Sequence, residues 1–524
     1  MTPVALSVRR HRANAQPWLV PRLAASWRRP LGPAELAFLG SLALYVMAGL
    51  WIRYGLDYAI GDALSRSATA RAVLFSAAPR ATAVGMVWMP FPALLQLPFV
   101  VLLEPFNLAE LAGPLSTSFC AALTVRMMVR MADRLGLPVG LSCLYVALYA
   151  ANPLVVFQAA NGMSEAVFIL FFVGALDGLT RWLEVPNARD QLRIALMLAA
   201  SMAVRYEALL LAVVVAAFMG MRRPHWPARA LTAAVVMLPT LYVFGIWLVT
   251  NRLIMGSALF WKHSLDAMAV PPPDAGWLPP RTLGHGLVYA AWRSLLVAPG
   301  LLVLAPVLLR RASARVGLAV LAVAGLFPAL VAVLIARDAS WGNLRYFVPL
   351  VPLMAVSVLW LAARTSRTSG RAALAGLLVL GVVSATVAGA DPRLTAVESE
   401  WQVFQAGLGR VASRELGYVS RWRSTADVVD ERLRGAEPSG LVAIEMGKSF
   451  PLFLLTQYPA RVMIDSDPRF EVLAAAGFDG VPFVFSVGEP TGTLRSGLGE
   501  RPEQSWEKVE LDSGTLYVRR DPTS

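Results

Sequence analysis

Four carboxylates (Asp62, Glu104, Glu165 and Glu207) and four arginines (Arg66, Arg205, Arg337 and Arg345) border or interrupt long apolar stretches of this 524-residue chain. Asp338 and His263 complete the set. Ionisable groups at the edge of hydrocarbon-length segments are costly to keep, so each is a candidate functional residue by default. A carboxylate close to several cations at a membrane surface suits a reaction on a lipid-linked phosphate. The cations hold the phosphate, and the carboxylate takes the proton from an incoming hydroxyl. Asp62, in the stretch Gly61-Asp62-Ala63-Leu64-Ser65-Arg66, is the candidate general base. The competing assignment is a helix cap, or an ion pair with Arg66 one helical turn on.

The other candidates each carry two assignments. Glu165 follows Asn161-Gly162-Met163-Ser164 and opens an apolar run, so it reads as a helix start favoured by the dipole, as a catalytic partner, or as both. Arg205, with Tyr206 and Glu207, separates two short apolar runs. A charge there needs a partner or an aqueous cavity, since exposing it to hydrocarbon costs at least ~2.5 kcal/mol. A salt bridge to Glu207 and a carrier phosphate both satisfy that need. Arg345 lies in Trp341-Gly342-Asn343-Leu344-Arg345-Tyr346, where Trp341 and Tyr346 fit an interfacial belt and Arg345 fits bidentate phosphate binding. Trp88 and His263 are candidate sugar or acceptor contacts, as are Tyr206, Glu207 and Trp341. The proline-rich stretch 271–280, with Trp277, reads as a stiff connector. The sequence shows no metal-ligand cluster, and it leaves a divalent metal requirement open; no cofactor is implied with certainty.

What positions these residues is a set of membrane-length apolar runs. The chain is 57% hydrophobic and 15% charged, with a mean hydropathy of +0.57. Soluble chains carry roughly a quarter charged residues. The runs lie near 35–52, 86–103, 108–131, 137–159, 166–183, 192–204, 208–221, 229–250, 287–309, 316–336, 347–363 and 371–389. The second opens with Trp88-Met89-Pro90-Phe91-Pro92, contains Pro98 and closes with Glu104-Pro105, so it is either a span or a helix lying on the outer surface. Arginine placement decides. If 86–103 does not cross, the clusters at 126–134, 181–193, 222–229, 310–315 and 364–371 all share the side of the basic N-terminus. If it crosses, all five flip. The expectation is therefore eleven spans, with residues 1–34 a basic cytoplasmic segment, 35–390 the membrane domain, and every candidate above on the outer side. The basic segment ahead of the first run marks an uncleaved first span rather than a signal peptide.

Residues 391–524 change character. An amphipathic helical stretch near 396–435 precedes β-rich runs at 441–445, 461–465, 481–487 and 515–519, alternating with helical segments at 450–457 and 469–477. A small extracytoplasmic α/β domain is expected, long enough for one core. Cys120 and Cys143 both fall in apolar runs and read as buried thiols, with no disulfide framework. The net charge of +13 sits in short clusters between apolar runs. It is an orientation signal and not a nucleic-acid footprint.

This layout resembles the GT-C superfamily of integral-membrane glycosyltransferases. The resembling parts are Gly61-Asp62 in the first outer loop, the surface helix from Trp88-Met89-Pro90-Phe91-Pro92, and Asn161-Gly162-Met163-Ser164-Glu165. The Arg205-Tyr206-Glu207 break and Arg345-Tyr346 before a late span also match. The resemblance covers about residues 30–390. It implies a polyprenyl-phosphate-linked sugar donor and a glycan, lipid or protein acceptor at the outer face of the cell membrane. It also implies Asp62 as catalytic base and Arg205 on the carrier phosphate; beside these, Glu165 is read as a catalytic partner and Arg345 and Arg66 as further phosphate ligands. The pattern departs from the family where Ala63 follows Asp62 in place of a second acid, and where the second-loop acid is Glu165 in place of Asp. No Trp-Trp-Asp motif is present, which disfavours asparagine glycosylation. The expected reaction is inverting transfer of a mannose- or arabinose-like sugar to a hydroxyl. The alternative is a polyprenyl-lipid transporter or flippase, which should place its charges near the bilayer midplane and often shows internal repeats.

Overall fold

Proline and polar residues set the helix boundaries, and those boundaries decide which charged groups meet. In this computed structural model the described residues are 31–268, 282–311, 314–337, 339, 343–390, 416–490 and 492–520. The first helix, α1 (Pro33–Leu50), starts on a proline whose missing N–H costs nothing at that position. There follow α2 (Gly61–Phe75), α3 (Phe91–Leu103), α4 (Ala112–Arg134), α5 (Val139–Ala150) and α6 (Pro153–Ala160). Next come α7 (Glu165–Glu184), α8 (Ala188–Met202), α9 (Glu207–Met221), α10 (Trp226–Met255) and α11 (Phe260–Met268). The bundle closes with α12 (Leu283–Val297), α13 (Gly300–Arg311), α14 (Ala314–Ala336), α15 (Leu350–Ala363) and α16 (Thr368–Ala390).

Two expected spans are broken. Asn152 accepts from the Leu154 amide and Pro153 starts α6, so α5 and α6 meet at a 66° bend. The run 287–309 bends by 89° between α12 and α13, where Ala298 precedes Pro299 and is held out of the helical region. Among the described residues, six helices are long and apolar enough to cross a membrane, and eight if each bent pair is one crossing. The expected eleven also requires α4, α8 and α9, which are shorter or more polar at their ends. The run at 86–103 contains only the 13-residue α3, a short apolar helix interrupted by Pro98. Cys120 is buried as expected, but Cys143 is exposed, because it falls on the outward face of α5.

The C-terminal region is a five-stranded sheet with flanking helices. After α17 (Tyr418–Gly435) come β1 (Val442–Ile444), α18 (Met446–Leu455), β2 (Val462–Ile464), α19 (Pro468–Ala475) and β3 (Phe483–Ser486). Then follow α20 (Gly492–Leu498), β4 (Trp506–Leu511) and β5 (Gly514–Arg519). The order is β2-β1-β3-β5-β4, with β1 parallel to both neighbours and the β4–β5 hairpin antiparallel. Strand β4 was not anticipated. Its residues alternate exposed and half-buried, Trp506 apart, so it lacks the apolar run of a core strand. The helical expectation for 396–415 lies outside the described residues.

The sheet region is fastened to α2, the helix that carries Asp62. Ala68 and Ala72 pack with Trp422, Phe453 and Phe485 in one apolar cluster. Arg71, 1% exposed, donates to Glu104 through Nε at 2.8 Å and Nη2 at 2.5 Å. Its Nη1 donates to the carbonyls of Phe453 (2.7 Å), Leu454 (3.0 Å) and Thr456 (3.0 Å) at the end of α18. Those carbonyls are the ones a helix end leaves unpaired. Glu104, expected at the outer site, is thus a structural partner of Arg71.

Candidate active site

Asp62 sits in the first turn of α2, but Ile60 is the capping residue and no side chain caps that helix. The cap assignment therefore falls. The ion-pair assignment changes partner, since Asp62 Oδ2 lies 2.9 Å from Arg345 Nη1. Arg66, 7% exposed, donates through Nη1 to the Asp62 carbonyl (3.2 Å) and contacts Met163 Sδ (3.5 Å). Met163 is placed there by Gly162, whose φ of +86° and close approach to Gly113 leave no room for a side chain. Trp88 lies under the Arg66 guanidinium, 5.6 Å from ring centre to cation.

Glu165 begins α7, so the helix-start reading holds, while its carboxylate also points to chemistry. Glu165 Oε1 pairs with Arg205 Nη1, and Arg205 Nη2 lies 2.6 Å from Glu207 Oε1. Of the two alternatives for Arg205 the structure has the Glu207 salt bridge, and the side chain also lines a cleft with Arg345. That cleft is lined by Glu165, Phe168, Arg205, Glu207, Phe327, Arg345, Tyr346 and Pro349. Nε of Arg66, Nε of Arg345 and Oε2 of Glu165 are buried with no hydrogen-bond partner among the described residues. Three carboxylates and three guanidinium groups thus balance in one place.

Helix α2 is not among the spanning helices. Burial pushes the Asp62 carboxyl up, but Arg345 foremost, then Arg66 and Arg205, outweigh it and hold it below the usual carboxylate range. Asp62 is therefore ionised, as a proton acceptor must be, yet its pairing with Arg345 leaves it weakly basic.

The remaining candidates divide. Tyr206 is anchored, its hydroxyl donating to the Val87 carbonyl (3.0 Å) and its ring stacked on Trp261 at 4.3 Å. His263 is exposed on α11 and does not line the cleft. Trp341 and Asp338 lie outside the described residues, as does Trp277. Arg337 does not line the cleft either. Three contributors were missed. Tyr346 lies under both cations, 5.5 Å from Arg205 and 5.6 Å from Arg345, although the sequence alone made it a belt residue. Trp261 was passed over within a loop. Phe450 of α18 comes so close to Gly61 that a β-carbon there would stand 3.6 Å from its ring. No local pattern ties a residue near 450 to one near 61. Among the described residues no group of three or more His, Cys, Asp or Glu is placed to hold a metal ion.

No protein-family model matches the sequence, and no curated protein matches it significantly. Solved structures do. ArnT from Cupriavidus metallidurans bound to undecaprenyl phosphate matches with TM-score 0.55 at 14% identity, covering 93% of this chain and 98% of that one. Its apo state matches with the same score and identity over 95% and 98%. The oligosaccharyltransferase of Archaeoglobus fulgidus matches with TM-score 0.43 at 12% identity, over 93% of this chain and 74% of that one. The chain has the GT-C fold: a multi-pass helical membrane bundle with a small C-terminal sheet region.

Proposed function

We propose that this protein is a membrane glycosyltransferase that moves a sugar from a polyprenyl-monophosphate carrier to an acceptor hydroxyl. The observation that carries the reading is the meeting of four chain segments: Glu165, Arg205, Glu207 and Arg345 line one cleft, and Asp62, with Arg66 on the same helix, joins it through Arg345. A neighbour of the same fold was solved with undecaprenyl phosphate bound, which supports a polyprenyl phosphate as the ligand.

The chemistry follows from the pairing. An arriving phosphate competes with Asp62 for Arg345, and loss of that partner returns the carboxylate toward ordinary basicity. Asp62 then takes the proton as the acceptor oxygen bonds to the anomeric carbon. The carbon–oxygen bond to phosphate breaks, its electron pair stays on the phosphate oxygen, and the anomeric configuration inverts. Arg345 and Arg66 stabilise the charge that grows there. Arg205 holds Glu165 and Glu207, which position the acceptor or a sugar hydroxyl; Trp88 offers a ring face. The sugar is mannose- or arabinose-like and the acceptor a glycan, lipid or protein.

The arginine clusters orient the cleft away from the cytoplasm, with residues 1–34 inside, the membrane domain at 35–390 and the sheet region at 391–524 outside. Phe168 and Phe327 wall the cleft and both contact Phe172, each at most 2% exposed, and this packed aromatic wall favours a closed active site over a transport path. The test is direct. Purified protein is offered a panel of labelled polyprenyl-monophosphate sugars with candidate acceptors. Transfer by the wild type and its loss in Asp62→Asn are expected; equal transfer by both would remove the proposed base.

A further inference from the structure

A second cationic cluster lies at the other end of α7. Asp177, whose side chain is 3% exposed, is held by Arg134 (2.9 Å), Arg193 (2.9 Å) and Arg181 (3.2 Å). Glu184 pairs with Arg134 (3.3 Å) and Arg364 (3.6 Å). Four arginines against two carboxylates leave two positive charges in excess. Arg364 is the most exposed of the four, with a side chain 40% exposed and only a long ion pair to Glu184 to neutralise it. Asp177 lies twelve residues along α7 from Glu165, about 18 Å at 1.5 Å per residue, so this cluster is remote from the cleft.

Beside it runs an apolar, half-open groove between α7, α9, α13, α14 and α15. Leu176, Phe218 and Val323 line it, with Thr180, Ser357 and Trp360 as its polar contributors. Groove and cluster touch at two points. Thr180 on the groove wall accepts from Arg134 Nη2 (2.7 Å), and the Arg364 guanidinium stacks 3.8 Å over the Trp360 ring. The Trp360 indole N–H is buried with no partner among the described residues. An apolar slot that ends at a net-cationic rim fits one kind of molecule, an amphiphile with an anionic head.

We infer that this groove binds the acyl chain of an anionic phospholipid from the leaflet at the arginine-rich end, its phosphodiester resting on Arg364 and the neighbouring arginines. Phospholipid is favoured over the carrier's polyprenyl tail because the groove ends at arginines, which an anionic head would meet and an uncharged polyprenyl chain would not. Head-group charge supplies the preference, since a cation near an anionic leaflet is attracted within a Debye length.

Delipidated full-length protein in neutral detergent would be titrated with phosphatidylglycerol, with phosphatidylcholine of the same acyl chains, and with polyprenyl monophosphate, and read by native mass spectrometry. Phosphatidylglycerol is expected to bind about tenfold tighter than phosphatidylcholine. Arg364→Gln, at an exposed position, should erase most of that difference, and Val320→Trp should block the tight lipid by filling the groove wall. Equal binding of the two phospholipids, or an unchanged preference in Arg364→Gln, would overturn the inference. So would loss of polyprenyl monophosphate binding in a folded Val320→Trp protein, which would make the groove the carrier's own.

Discussion

If Asp62 and an incoming phosphate compete for Arg345, then Asp62→Asn should impair turnover and improve binding at once. The pair is 2.9 Å apart, with side chains 36% and 20% exposed. Two unit charges ~4 Å apart are worth about 4 kcal/mol at an effective dielectric of 20 and about 1 kcal/mol in water. Partial exposure brings the Asp62–Arg345 pair toward the lower figure, roughly 1–2 kcal/mol after screening. Removing the carboxylate's charge therefore frees Arg345 and should tighten polyprenyl monophosphate about 5- to 30-fold. Loss of the base should lower transfer about 10²- to 10⁴-fold. The product carrier is the right ligand for the binding arm, because it has the phosphate without the sugar. Its Kd is measured by microscale thermophoresis in detergent for both proteins, and turnover with the labelled donor. A weaker or unchanged Kd in the folded variant would refute the competition, whatever happens to turnover.

Three further outcomes follow from other contacts. Arg345 holds Asp62 below the ordinary carboxylate range, so the group stays ionised as pH falls until that lowered pKa is reached. In Arg345→Gln the pKa rises, Asp62 takes its proton at higher pH, and the acid limb of residual kcat/KM should move upward; an unmoved limb would exclude the pairing as its cause. Arg205→Ala strands Glu165 and Glu207, with side chains 2% and 14% exposed, and should cost about 3–5 kcal/mol, seen as a lower thermal midpoint. Arg205→Lys should recover part of that loss, and identical midpoints for the two variants would count against the charge argument. Arg71→Ala removes the clamp between α2 and the end of α18. Trypsin should then cut the C-terminal region faster while the bundle persists, whereas an unaltered digestion pattern would show that the apolar contact alone holds the two together.

The charged residues were legible because hydrocarbon makes each one conspicuous. Asp62, Glu165, Arg205, Glu207 and Arg345 stand at the ends of apolar runs, and all five meet. Their partners were less legible. Arg66 is one turn from Asp62 on the same helix, and local spacing favours that pair; the bundle instead brings Arg345, 283 residues away, onto the Asp62 carboxylate. Periodicity also could not show the right-angle break at Ala298-Pro299, since the apolar run continues through it. The same limit hid Arg71 and Glu104. Each has an ordinary local sequence, and only the docking of a sheet region hundreds of residues away makes Arg71 the most committed guanidinium near the site. Strand β4 was missed because a solvent-facing edge strand needs no apolar run.

Sequence reasoning gave Arg205 and Arg345 the same task, and the geometry separates them. Arg205 is shared by two carboxylates, one of which is almost fully buried, so moving it toward a phosphate would strand Glu165 in a low-dielectric wall. Arg345 has one carboxylate partner, more exposed than either of those, and its Nε is buried without a bond among the described residues. It can exchange Asp62 for a phosphate at small cost. Under the proposed function the fixed arginine shapes the cleft and the exchangeable one would read the donor, so that Asp62 would gain basicity only with a phosphate in place. On that reading Asp62 stays paired and weakly basic in the empty site and becomes a competent base only in the donor complex.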